Sequence, residues 1–109
     1  MDEYKEWGHE KCSKMILDRL GDNPIYVTFD LDCLDSTVAP GTANVEPAFR
    51  GCNMDEARKL IQCLKGKNVI GGDVACLMPT KDNPNQITSM VAASIMFEII
   101  CLISVYRNQ

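Results

Sequence analysis

The sequence predicts an α/β domain with parallel strands, a βαβα unit preceded by a helix. Two short apolar, β-branched runs, Ile25 to Phe29 and Val69 to Val74, flank an amphipathic helical pattern at 54–65. Strand, helix, strand in that order implies a parallel pair joined by a right-handed crossover. A second apolar helix follows from Ile87 to about Tyr106. In such sheets ligands collect beyond the carboxyl ends of the strands. The first strand ends in Asp30, Asp32 and Asp35, and the second in Asp73 to Met78.

Taken in order, residues 3–20 read as a helix whose stripe of Trp7, Cys12, Met15, Ile16 and Leu20 alternates with charged residues. Trp7 and the methionines are expected in the core. Gly8 weakens the first turn, and Gly21-Asp-Asn-Pro24 stops the helix. The strand 25–30 is followed by a long loop, 33–52, anchored by Pro40-Gly41 and Pro47. A loop of that length in a small domain is characteristically functional. Asn53 with Glu56 has the form of a capping box. Ala57, Leu60, Ile61 and Leu64 then recur at helical spacing, ending at Gly66. Gly71-Gly72 is expected to break the second strand, and Pro79 to Pro84 is polar loop. The last segment reads as a buried helix, its stretch Met90–Val105 being too short, with Glu98 inside it, for a membrane span.

At 109 residues there is room for one small domain. A net charge of −4 without a basic cluster argues against nucleic acid and anionic membranes as partners. The six cysteines have no C-x-x-C pair, and no secretory leader is seen. They read as reduced, mostly buried thiols of an intracellular protein, cytoplasmic or mitochondrial. A zinc site built from them is not expected. His9 has only Cys12 near it and reads as an ordinary histidine.

The chemistry sits at Asp30 and Asp32. Side chains alternate along a strand, so the two carboxylates are expected on one side, one repeat apart. Paired like this they repel, and burying them unpaired is costly. A hard divalent cation turns that cost into a gain. The bland alternative is a pair of aspartates that cap a helix or face water.

Thr28-Phe-Asp-Leu-Asp-Cys-Leu-Asp35, followed by Ala39-Pro-Gly-Thr42 and Glu46-Pro47, resembles a signature of the ureohydrolases, the family of arginase, agmatinase and formimidoylglutamase. Gly71-Gly-Asp-Val-Ala-Cys-Leu-Met-Pro79 is similar to their next strand-end motif. The segment Thr88–Leu102 resembles an agmatinase-type terminal helix, so the likeness covers about residues 24–103. The resemblance implies a three-layer α/β/α fold, commonly in trimers or hexamers. It also implies two manganese ions whose bridging hydroxide attacks a guanidino or amidine carbon and releases urea or a related amide. Asp30 would bridge both ions and Asp32 would bind one of them.

Departures from the family pattern shape the expectation. The family's D-A-H-x-D and G-G-D-H-S ligand motifs do not occur here. Two carboxylates alone are not expected to hold two cations, so the chain resembles the carboxyl-terminal part of a ureohydrolase that is inactive in isolation. Cys76 stands where relatives place a glutamate that receives the guanidinium, which removes a charge-assisted hydrogen bond to a cationic substrate. Ser36 replaces a usual proline, Ala43-Asn44-Val45 replaces a Gly-Thr-Pro-like stretch, and the region Ala48 to Arg50 carries about two extra residues. The substrate therefore stays open among agmatine, another guanidino compound and formimidoylglutamate.

Among the remaining acids, Asp35 is expected to bond its own turn, Glu46 to brace the loop, and Asp73 to accept from loop N–H groups. Glu98 is expected at the exposed edge of its helix or paired with a lysine. Two alternatives accompany the ureohydrolase reading. One is a Mg-dependent phosphatase with Asp30 as nucleophile, which leaves Pro40-Gly41-Thr42 and Gly71–Pro79 unexplained. The other is a non-catalytic remnant that docks on ureohydrolase subunits through an apolar face of the last helix.

Overall fold

The computed structural model describes residues 1–42 and 51–109. The first helix is two, α1 (Asp2–Trp7) and α2 (His9–Leu20). Gly8 parts them with φ 84°, a left-handed value that glycine adopts freely and other residues do not. The expected core stripe is largely turned outward. Trp7, Met15 and Ile16 are exposed, with Lys11 Nζ 4.8 Å from the centre of the Trp7 ring. The helix meets the core through Leu20 of that stripe and through Leu17, which lies outside it, and this leaves the Trp7 side uncovered among the described residues.

β1 (Ile25–Asp30) and β2 (Val69–Ala75) form the parallel pair that the sequence predicts. Between them, α3 (Met54–Gln62) starts in the expected capping box: Asn53 Oδ1 accepts from Glu56 N at 2.8 Å, and Glu56 Oε1 accepts from Asn53 N at 3.1 Å. Ala57 and Ile61 are buried. The helix closes earlier than Lys65 because Leu64 N and Lys65 N donate to carbonyls three residues back, Ile61 O and Gln62 O, the tighter spacing with which helix ends satisfy their carbonyls.

Gly71-Gly72 does not break β2. The register shift lies just before it, so that Tyr26 pairs with Gly71, Val27 with Gly72 and Thr28 with Asp73. Paired residues share a face. Val27, Phe29, Gly72 and Val74 turn toward the core, and α4 (Ile87–Arg107) packs there, its Ile99 against Gly72. Thr88, Val91, Ile95, Ile99 and Leu102 make the buried stripe of α4. The helix is 21 residues long, and by length and apolarity it could cross a membrane. Its other side is exposed, with Met90 at 62%, Phe97 at 65% and Ile100 at 54%. The expectation of a buried helix holds for one stripe only, and the methionines expected in the core include the exposed Met15, Met78 and Met90.

The opposite face of the sheet carries Tyr26, Thr28 and Asp73, and Tyr26 is 58% exposed. Helices cover one face of the strand pair, so the described residues supply two layers of a three-layer arrangement. Glu98 lies at the edge of α4 as expected, but it accepts from Gln62 Nε2 at 3.2 Å rather than from a lysine. Of the six cysteines, all free, only Cys52 is buried, and burial pushes its thiol up to about 12. The thiols are therefore less buried than the sequence led us to expect.

The start of α4 is built by residues that the sequence reading passed over. Asp82 Oδ2 accepts from Thr88 N at 2.9 Å and Ser89 N at 3.2 Å, and Asn83 Oδ1 accepts from Ile87 N at 3.1 Å. Burial raises the Asp82 carboxyl, but the Thr88, Ser89 and Asn83 donors outweigh it and hold it below the usual carboxylate range. A lowered folded value means that Asp82 contributes fully above the unfolded value. The contribution is lost as pH falls through the folded one. Asp82→Ala should lower the melting temperature by several degrees at neutral pH. The isosteric, non-titrating Asp82→Asn should flatten the loss of stability below about pH 4. Thermal melts followed by circular dichroism across an acid series check both.

Candidate metal centre

Asp30 and Asp32 come together by a route other than strand alternation. β1 ends at Asp30, and Leu31–Cys33 form a single 3-10 turn. Asp30 caps that turn, its Oδ1 accepting from Asp32 N at 2.8 Å. Leu31, between the two aspartates, is 0% exposed, and Leu34 is 2% exposed. Two buried leucines therefore plug the turn into the core, while Asp30 stays exposed and Asp32 half-buried. The preference of Asp for capping and turns stops the strand where the alternating pattern would have continued it.

The third member arrives from β2. Cys76 follows the last strand residue in a left-handed conformation, φ 72°, which costs a non-glycine residue strain. Its Sγ and one carboxylate oxygen each from Asp30 and Asp32 all lie within 4.8 Å of one another. Among the described residues this is the group of three that could hold an ion. The hydrogen-bonding influence of the neighbouring Asp30 carboxylate, then burial, then the two negative charges push the Cys76 thiol pKa up.

Other expected residues are elsewhere. Asp35 bonds its own turn, Oδ1 accepting from Thr37 N at 2.9 Å and from Thr37 Oγ1 at 2.7 Å. The Thr37 hydroxyl is the main reason its carboxyl lies below the usual range. With Val38 N and Ala39 N donating to Asp35 O, the turn at Ser36 is tied by backbone bonds. Among the described residues, Asp73 has its partners in side chains of the neighbouring strand and not in loop N–H groups. It takes Thr28 Oγ1 at 2.6 Å and Tyr26 Oη at 2.9 Å across the strand pair, and these bonds, Thr28 first, hold its carboxyl low. The shared face of residues 26, 28 and 73 was the available signal, hidden by uncertainty over register. His9 Nδ1 lies 3.3 Å from Ser13 Oγ, one turn further along α2. Glu46, Ala43-Asn44-Val45 and Ala48 to Arg50 lie outside the described residues.

Ala39-Pro-Gly-Thr42 is a structural stitch beside the acids. Ala39 and Thr42 are buried. Gly41 N donates to Thr88 Oγ1 at 2.9 Å, and Met78 N donates to Gly41 O at 2.8 Å. The loop is thereby fastened at Gly41 to the segment after β2 and to the start of α4. A groove of about 650 Å³ between α3 and α4, lined by Met54, Arg58, Phe97 and Glu98 among others, includes none of the three candidate ligands.

As a donor set, two carboxylates suit a hard divalent cation and a thiolate suits a softer one. Asp30 and Asp32 fit manganese as far as they go, filling a minor part of the coordination that two octahedral ions require.

The fold is that of an α/β domain whose candidate site lies beyond the carboxyl ends of parallel strands. The chain belongs to the arginase family, whose model matches residues 1–102. It is 38% identical over 90 residues to an agmatinase of Shigella dysenteriae, an alignment covering 83% of this chain and 28% of that protein. Proclavaminate amidino hydrolase from Streptomyces clavuligerus superposes with a TM-score of 0.89 at 30% identity, over 96% of this chain and 35% of that one. A hypothetical agmatinase from Burkholderia thailandensis gives a TM-score of 0.88 at 32% identity, over 97% and 33%. The chain thus spans about a third or less of the length of these relatives. The fold is a partial α/β ureohydrolase fold, and the phosphatase reading of Asp30 falls away.

Proposed function

We propose that this chain is the carboxyl-terminal part of a manganese-dependent ureohydrolase, agmatinase-like, that cleaves a guanidino or amidine C–N bond and releases urea or, from a formimidoyl substrate, the related amide. The observation that carries the reading is the meeting of the Asp30 and Asp32 carboxylates at the end of β1, in a chain of the arginase family. These two residues would hold manganese. Bound divalent ions supply Lewis acidity that brings the pKa of water near neutrality. Leu31 and the Asp30 cap fix the spacing of the two carboxylates. Cys76 brings no carboxylate to receive a guanidinium, so agmatine, another guanidino compound and formimidoylglutamate stay open as the substrate. Homo-oligomerisation and an intracellular location belong to the same proposal. By itself the 109-residue chain does not turn over, because two carboxylates leave most ligand positions of two ions unfilled.

Calorimetry with Mn2+ on the purified chain tests this, beside an Asp30→Ala/Asp32→Ala control and a urea-release assay on agmatine. Binding in the micromolar range, absent from the control and without urea release, is the expected result. A folded chain that binds no manganese, or binds it equally after the double substitution, overturns the metal reading. Urea production would instead overturn the statement that the chain is inactive. A second reading, a non-catalytic module docking on ureohydrolase subunits, is favoured by the apolar face of Met90, Phe97 and Ile100 on α4. Failure of metal binding with capture of a ureohydrolase subunit, lost on Phe97→Asp, would select it.

A further inference from the structure

We infer that Cys76 is itself a metal ligand, making with Asp30 and Asp32 a mixed oxygen–sulfur site that shifts preference from Mn2+ toward Zn2+ and Co2+. The inference rests on the reading that Asp30 and Asp32 bind metal and goes beyond it, since the resemblance gives position 76 to the substrate. Three donors from two chain segments converge within 4.8 Å. Zinc or cobalt held at roughly 2.0–2.3 Å from oxygen and sulfur requires donors about 3.5 Å apart. Modest side-chain rotations close that difference. The sulfur and the two carboxylate oxygens face one another across a single point, the place that a cation would take. On binding, the S–H bond breaks, its proton leaves to solvent, and the sulfur lone pair so freed is donated to the ion. Thiolate sulfur favours zinc and cobalt, whereas carboxylate oxygen suits manganese, and zinc and cobalt lie above manganese in intrinsic affinity.

The left-handed backbone at Cys76 agrees with this. A residue holds φ 72° only where its surroundings compensate the strain, and such positions concentrate at functional sites. A guanidinium-binding role would use a carboxylate here. The cysteine supplies a soft donor at the same point.

Titration of the reduced 109-residue chain with Co2+ in the absence of air tests the assignment, because a sulfur-to-cobalt charge-transfer absorption appears only when a thiolate binds the ion. The band should saturate with one site, vanish in Cys76→Ser, and vanish with binding itself in Asp30→Ala/Asp32→Ala. The ratio of Zn2+ to Mn2+ affinity should fall in Cys76→Ser by more than the roughly tenfold that loss of an outer supporting hydrogen bond costs. Cys76→Glu, a second variant that keeps a ligand at this point, should lose the band and regain Mn2+ affinity. Circular dichroism confirms that each variant folds. Co2+ binding that depends on Asp30 and Asp32 but gives no charge-transfer band, or a band that survives Cys76→Ser, overturns the role of Cys76 and leaves the metal centre standing. Absence of any ion binding that depends on the two aspartates overturns both.

Discussion

Gly72→Ala should destabilise the chain by about 2–3 kcal/mol, the upper part of the range for adding a methyl group to a packed core. A Cβ at this position would lie 2.7 Å from Ile99 Cγ2 and 2.7 Å from Val27 O. The first neighbour is a side chain buried on α4, and the second is backbone of the strand paired with β2. A rotamer change at Ile99 relieves one contact and leaves the other. For a domain near this size each ~1 kcal/mol lowers the melting temperature by roughly 4–8 °C, so the loss is visible in a simple thermal melt. A double-mutant cycle separates the two contacts. Ile99→Ala alone costs roughly 2–5 kcal/mol through its cavity. Combined with Gly72→Ala, it should cost less than the sum by at least about 0.5 kcal/mol. Strict additivity would mean that α4 does not press on Gly72.

That glycine shows where sequence reasoning stops. Gly71-Gly72 reads locally as a strand breaker, because residues without side chains weaken strands. Its real role depends on a helix more than twenty residues further on, which local patterning does not bring into view. Elements written in local chemistry were legible: the Asn53/Glu56 box and the apolar spacing of α3, the run Ile25–Phe29, and the order that makes the strands parallel. The Trp7–Met15–Ile16 stripe was legible as amphipathic, but which neighbour covers it was not. At the site, the types of Asp30 and Asp32 and their place at a strand end were readable. Their mutual arrangement was credited to strand alternation when a 3-10 turn produces it. The approach of Cys76 depends on a left-handed backbone that no composition signals at a cysteine. The Tyr26–Thr28–Asp73 bonds depend on a one-residue register shift, to which a period-2 pattern is blind.

Leu31→Ala should cost about 2–5 kcal/mol of stability, the usual range for emptying a buried leucine site, and should weaken metal binding beyond that loss. Leu31 is fully buried between two ligand candidates, the exposed Asp30 and the half-buried Asp32. Its side chain anchors the turn in which Asp30 Oδ1 accepts from Asp32 N at 2.8 Å. Truncation leaves the turn free to shift, and a ligand pair held to the wrong spacing loses affinity even when both carboxylates remain. Ile61→Ala is the matched control. Ile61 is also buried, 4% exposed, but it belongs to α3 and adjoins neither aspartate. The two variants should lose comparable stability in urea, read from the midpoint at unchanged slope. At a temperature where both remain folded, Leu31→Ala should bind Co2+ or Mn2+ on the order of tenfold more weakly than Ile61→Ala, which is about 1.4 kcal/mol. Equal metal affinities in the two variants would mean that the carboxylates keep their spacing without the leucine, and that the Asp30 cap alone sets the geometry.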